Sequence, residues 1–125
     1  MTAEPQPLAE RTKTYALRVI RLYGALPKTT VAQVIGRQLL HSGTSVGANY
    51  REGRRVRSSA EMATKFDVCV QELAESSYLI ELLADAGILQ KPVLDPLLDE
   101  TDQLIAISTS SIKRISTPPN TDRKE

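Results

Sequence analysis

The sequence predicts an all-α protein, an antiparallel up-down-up-down four-helix bundle. Apolar residues recur three and four apart in four stretches, and short connections marked by proline or glycine divide them. No strand pattern competes: the aromatic residues are 4 Tyr and 1 Phe, with no alternating β-branched runs and no hairpin dipeptide between apolar segments. At 125 residues the chain is long enough for one domain with a real core and too short for two.

The first helix is expected from Leu8 to Leu26. Leu8, Thr12, Tyr15, Val19, Leu22 and Leu26 form its stripe, and Ala16, Ile20 and Tyr23 widen it. Gly24 weakens the last turn and Pro27 cannot continue the backbone ladder. Thr29 or Thr30 can then cap a second helix, which begins near Val31 and runs to about Arg55. Its stripe is Ala32, Ile35, Leu39, Ser42, Val46 and Asn49. Gly36, Gly43, Gly47 and Gly53 each lower helicity by about 1 kcal/mol relative to alanine, so packing must hold this helix. Gly43 and Gly47, one turn apart, allow a neighbouring helix of the same subunit to approach closely.

A capping box, Ser58-Ser59-Ala60-Glu61, opens the third helix. Met62, Phe66, Cys69, Leu73, Ser76, Ile80 and Leu83 form its stripe, and Gly87 is a left-handed stop. The fourth helix is expected to start near Asp95-Pro96, an acceptor cap followed by a proline at the first helical position. Leu94, Leu98, Thr101, Ile105, Ser108, Ile112 and Ile115 make its stripe. Residues 1–7 and 116–125 are polar and proline-containing and are expected to be disordered tails around a bundle at 8–115.

The formal net charge of +1 conceals a division. Residues 1–65 carry +7 and residues 66–125 carry −6. Such asymmetry fits a basic surface for a polyanion, a basic face that meets an acidic one, or two helix pairs neutralising each other within one bundle. No apolar run approaches the roughly 20 residues that span a bilayer. The N-terminus lacks a secretory pattern, and the single Cys69 can make no internal disulfide, so a cytoplasmic protein is expected.

Catalytic chemistry finds little support. A di-iron bundle needs two Glu-x-x-His pairs, whereas His41 is the one histidine and no Glu stands three positions before it. One His and one Cys on different helices serve zinc poorly. Cys69, between Val68 and Val70 on a core stripe, reads as a small apolar group. The glycines are too widely spaced for a phosphate loop. No catalytic, cofactor or metal residue is therefore assigned.

The stretch Arg37–Ser58, RQLLHSGTSVGANYREGRRVRS, is the most informative. Ser42 and Asn49 lie in its apolar stripe and should be at least partly buried. Ser42 can bond back to its own helix, and Asn49 is expected to fix register by pairing across the bundle. At about 100° per residue, Arg51 lies about 40° from Arg37 and Arg55 lies directly below it. That ridge points away from the stripe, with Arg54 and Arg57 flanking it. An accessible row of cations suits phosphate contacts, which carry no sequence information. Few aromatics are available to stack bases, so a sequence-specific single-strand reader is not expected.

Leu26-Pro27-Lys28, IGRQLLHSGTSVGANYREG, SSAEMATKFDVCVQEL and the closing SSIKR together resemble a bacterial four-helix bundle family, the 23S rRNA intervening-sequence proteins. The resemblance covers roughly residues 8–115, and QLLHSGTSVGANYREG is its most specific part. It implies an all-α bundle assembled into a ring-shaped homopentamer, without established enzymatic activity. The related accessory protein of diversity-generating retroelements is also pentameric and engages nucleic acid and a reverse transcriptase through a basic surface. On this sequence the family's signature positions are Ser42, Ser45, Asn49, Glu52 and Gly53. Arg37, Arg51, Arg54, Arg55 and Arg57 become the candidates for polyanion contact. The chain departs from the more basic retroelement proteins in being nearly neutral, with an acidic second half.

The expectation is therefore a non-catalytic, homo-oligomeric scaffold or accessory factor, with RNA or DNA as candidate partners on the second-helix ridge. The alternatives are a module that binds a protein partner without nucleic acid, and a small-molecule or metal-binding enzyme built in the bundle. In a ring, a basic face on one subunit can also meet an acidic face on the next.

Overall fold

The computed structural model describes residues 6–116. Four helices account for nearly all of them: α1 (Leu8–Ala25), α2 (Thr30–Arg55), α3 (Ser59–Asp85) and α4 (Lys91–Ser116). Short connections force antiparallel neighbours. α1 packs on α2, α2 on α3 and α3 on α4, while α1 and α4 close the square through a lighter contact. α2 and α4 lie on opposite corners, and their backbones do not approach closely. Of the expected tails at 1–7 and 116–125, residues 1–5 and 117–125 lie outside the described residues, while Ser116 belongs to α4 rather than to a tail.

Local chemistry explains most helix ends. Leu26 is held extended by the proline that follows it, and α1 stops one residue earlier, at Ala25. The Thr29 side chain accepts from the Ala32 N–H at 3.3 Å and caps α2. Ser58 caps α3 by accepting from the Glu61 N–H at 3.0 Å; the Glu61 carboxylate meets the Ser58 hydroxyl rather than its backbone. Gly87, at φ 71°, ends α3 in a Schellman motif in which Ile88 N–H donates to Leu83 O and Gly87 N–H to Ala84 O.

The start of α4 differs from the expectation. The helix begins at Lys91, so Pro92 occupies the first turn, where its missing N–H costs nothing. Asp95 does not cap; it pairs with Lys91 one turn earlier at 2.9 Å. Pro96 lies inside the helix and leaves the Pro92 carbonyl without a helical donor, at an exposed position that water can serve.

The core runs through Tyr15, Val19, Leu39, Val46, Cys69, Leu73, Ile80, Leu83, Leu94 and Leu104, all at or below 2 % exposure. The third-helix stripe stands, with Leu79 added and Met62 only half-buried. On α1 the face is narrower than expected, since Ile20 is 47 % exposed. On α4 the central row is Leu94, Leu97, Thr101, Leu104 and Ser108, with Leu98, Ile105 and Ile112 half-buried on its flank. The apolar arc of α4 is wide enough for either row. α1 decides between them by closing over the Leu97 side, where Leu97 shares a groove with Arg18, Leu22 and Ala25.

The glycines of α2 set the distance to α1. A β-carbon at Gly43 would stand 2.8 Å from a Val19 methyl, and one at Gly47 would stand 3.2 Å from the Thr12 hydroxyl oxygen. Gly36 serves Leu26 and Tyr23 in the same way, while Gly53 admits Phe66 of α3. The glycine row is thus a buried helix–helix seam, as the one-turn spacing of Gly43 and Gly47 suggests.

Polar groups cross the core in one layer. Ser42 and Ser76 share a hydrogen bond of 2.7 Å between α2 and α3, and Tyr15 and Thr101 share one of 2.6 Å between α1 and α4. All four residues are fully buried. Burial pushes the Tyr15 phenol up, and hydrogen bonding from Thr101 and from Ser76 opposes it. Each helix contributes one hydroxyl, so the layer fixes the mutual register of all four.

Candidate functional site

The conformation of α2 places the five candidate arginines. Arg37, Arg51, Arg54 and Arg55 lie on the helix, Arg57 lies just past it, and all five are exposed. Arg37, Arg51 and Arg55 share its outer face, a ridge about 27 Å long at 1.5 Å per residue. Arg51 donates to the Ala9 carbonyl of α1 at 3.2 Å and lines a shallow groove with Lys13, Ala16 and Thr44. Lys13 therefore joins the ridge from the neighbouring helix, a contribution that the second-helix pattern alone does not reveal. Among the described residues, none of Arg37, Arg51 and Arg55 pairs with a carboxylate.

The other two arginines leave the ridge. Arg57 lies beyond the Val56 cap of α2. Arg54 turns toward the end of the bundle, donating to the Tyr50 hydroxyl at 3.0 Å and standing 5.8 Å from the centre of the Tyr50 ring. It lines a cavity of about 340 Å³ with Tyr50, Met62, Phe66, Ser111, Arg114 and Ile115. Arg114 is not among the residues that the sequence pattern singles out. Its place becomes evident only once the end of α4 is set beside the end of α2.

The five signature positions have structural partners. Ser42 is fully buried and bonds to Ser76 as well as to Leu39 O, at 3.3 Å. The Ser45 hydroxyl donates to His41 O at 2.6 Å. Asn49 does not pair across the bundle: it is half-buried and donates to Ser45 O at 2.9 Å within its own helix. The register role expected of Asn49 belongs to Ser42 with Ser76, because Asn49 sits at the margin of the stripe where a local carbonyl is nearer. Glu52 pairs with Lys65 of α3 at 2.7 Å, which holds its carboxyl below the usual range. Gly53 makes room for the Phe66 ring, which stacks on Tyr50 at 5.2 Å.

The reactive side chains are placed structurally. Cys69 is buried, its thiol directed at Val46 O at 3.4 Å, and burial pushes its pKa up to about 11. His41 is exposed. Among the described residues no three His, Cys, Asp or Glu side chains converge to hold a metal ion. No helix of the described chain is long and apolar enough to cross a membrane.

Three aspartates stand on the opposite corner of the molecule. Asp95, Asp99 and Asp102 lie on α4, diagonally across from the arginines of α2, and all three are exposed. The acidic excess of the second half of the chain lies mainly on α3, with Asp67, Glu72, Glu75, Glu81 and Asp85, whereas Lys91, Lys113 and Arg114 offset most of the acidic residues of α4.

Comparison with known proteins agrees with the architecture. Residues 7–110 match the family described as 23S rRNA-intervening sequence protein. The fold is similar to the crystal structure of a protein of unknown function from the S23 ribosomal protein family of Bacteroides thetaiotaomicron. The TM-score is 0.81 at 27% identity, covering 86% of this chain and 99% of that one. No curated protein matches the chain.

Proposed function

We propose that this chain, which belongs to the family of 23S rRNA-intervening sequence proteins, works as a non-catalytic, homo-oligomeric bundle. In this reading five copies form a ring that acts as a scaffold or accessory factor for RNA or DNA. The observation that carries the polyanion role is the outer face of α2, where Arg37, Arg51 and Arg55 stand exposed without carboxylate partners among the described residues. Cations held on a rigid helix at one face contact successive phosphates without reading bases. Cys69 offers no ready nucleophile for an alternative enzymatic role, because burial keeps it as the neutral thiol with a pKa pushed up to about 11.

A second reading rests on the diagonal charge arrangement. The arginines of α2 and the exposed Asp95, Asp99 and Asp102 of α4 lie on opposite corners, so one copy's arginines can meet the next copy's aspartates, of which Asp95 is already paired with Lys91. Such a head-to-tail contact builds a ring when the rotation closes.

One variant separates the two. Arg37→Glu, Arg51→Glu and Arg55→Glu together should abolish binding to structured RNA or duplex DNA at low salt while the oligomer persists, if the face serves a polyanion. If the face is the subunit contact, the same variant dissociates the assembly. Unchanged nucleic-acid affinity in an intact oligomer removes the ridge from the binding site.

A further inference from the structure

Among the described residues the bundle lacks a corner. α1 has 18 residues where α2, α3 and α4 have 26, 27 and 26. At 1.5 Å per residue, the described residues supply three helices instead of four over about 12 Å of the square. The sequence supplies the reason: Pro7 is the N-cap of α1, and proline there disfavours helix in the residue before it.

The helices that flank the gap change character where α1 ends. On α2 the row facing α1 runs through Gly36, Gly43 and Gly47 and then becomes Tyr50 and Arg54. On α4 the row that meets α1 at Glu100 and Gln103, both bound by Arg11, continues to Ser111 and Arg114. Met62 and Phe66 of α3, with Ile115, form an apolar floor to the resulting cavity of about 340 Å³. One guanidinium group thus stands on each wall of an apolar slot. Arg54 is positioned by Tyr50, and Arg114 donates to the Ser111 hydroxyl at 3.5 Å. Neither pairs with a carboxylate among the described residues.

We propose that this corner is a docking site for a short acidic amphipathic helix of a partner protein, which completes the four-helix square. The slot lies between the rows of α2 and α4 that face α1 further along the bundle. Two apolar side chains one turn apart would cover Phe66, Met62 and Ile115, and flanking carboxylates would accept from Arg54 and Arg114. A nucleic-acid duplex is much wider than one helix. A single strand would find no free aromatic platform, because Tyr50 and Phe66 are stacked on each other. The site is independent of the ridge on the outer face of α2.

The test uses the full chain and two blocked helical peptides, with leucines at i, i+4 and i+7 flanked by glutamates in one and by lysines in the other. The glutamate peptide should shift the NMR signals of Met62, Phe66 and Ile115, more strongly at low salt. Arg54→Glu with Arg114→Glu should weaken that peptide at least tenfold and gain binding of the lysine peptide, an exchange that a merely unfolded variant cannot give. The proposal is overturned if the glutamate peptide leaves these signals unmoved at millimolar concentration, or if the lysine peptide binds the unaltered chain equally well. It is also overturned if a single-stranded RNA oligonucleotide shifts them where the peptide does not.

Discussion

The hydroxyls of Ser42 and Ser76 meet at 2.7 Å between α2 and α3, with no solvent exposure on either side. Beside them Tyr15 and Thr101 join α1 to α4 at 2.6 Å. A buried hydroxyl deprived of its partner costs more than the bond itself contributes. Ser42→Ala should therefore destabilise the fold by about 1–2 kcal/mol in urea unfolding. Ser42→Ala with Ser76→Ala should cost less than the sum of the single changes, since the double variant leaves no orphan across this pair. Strict additivity would show that the two hydroxyls are not coupled.

The seam between α1 and α2 makes two glycine substitutions differ in sign. Gly24→Ala meets nothing within 4 Å and should stabilise the protein by about 0.5–1 kcal/mol through helix propensity. Gly43→Ala places a methyl 2.8 Å from a buried Val19 methyl and should destabilise it by about 1–3 kcal/mol. Thermal unfolding of the two variants checks the contrast.

Cys69 should be nearly inert in the native state. With its pKa pushed from 9.0 to about 11 by burial, it has about 100-fold less thiolate at pH 8 than an unperturbed thiol. A thiol-reactive dye should label it slowly until denaturant is added. The sign of the linked pH effect follows: the native state keeps the proton that the unfolded chain releases. The contribution of Cys69 is present below the unfolded thiol's pKa and is lost as pH rises toward 11. Cys69→Ala should flatten that part of the stability profile.

Arg37→Ala, Arg51→Ala and Arg55→Ala together should lower duplex affinity evenly across sequences. The slope of log affinity against log salt should shrink by roughly 3, about 0.9 for each phosphate that an arginine no longer neutralises. Fluorescence anisotropy at several salt concentrations measures it, and an unchanged slope would place the phosphate-binding cations elsewhere.

The fold was legible wherever the chemistry is local. Pro27, Thr29, Ser58 and Gly87 act at α1, α2 and α3 as their residue types predict, because capping and proline effects reach only a few positions. Asp95-Pro96 misled because Pro92 offers a second helix start four residues earlier, and a first-turn proline is equally compatible with either. Asn49 misled because helical angle places a residue on a face without saying which acceptor lies nearest. The basic ridge could be read from spacing within α2, whereas Lys13, Arg114 and the open corner depend on which helix lies beside which. Periodicity within one helix does not encode that adjacency.

A homo-oligomer whose charged faces have partners is tested most directly by light scattering during size exclusion of the full chain at micromolar concentration. A ring of five should elute as a single species with the mass of five copies of the 13.8 kDa chain. A monodisperse species of 13.8 kDa would contradict it.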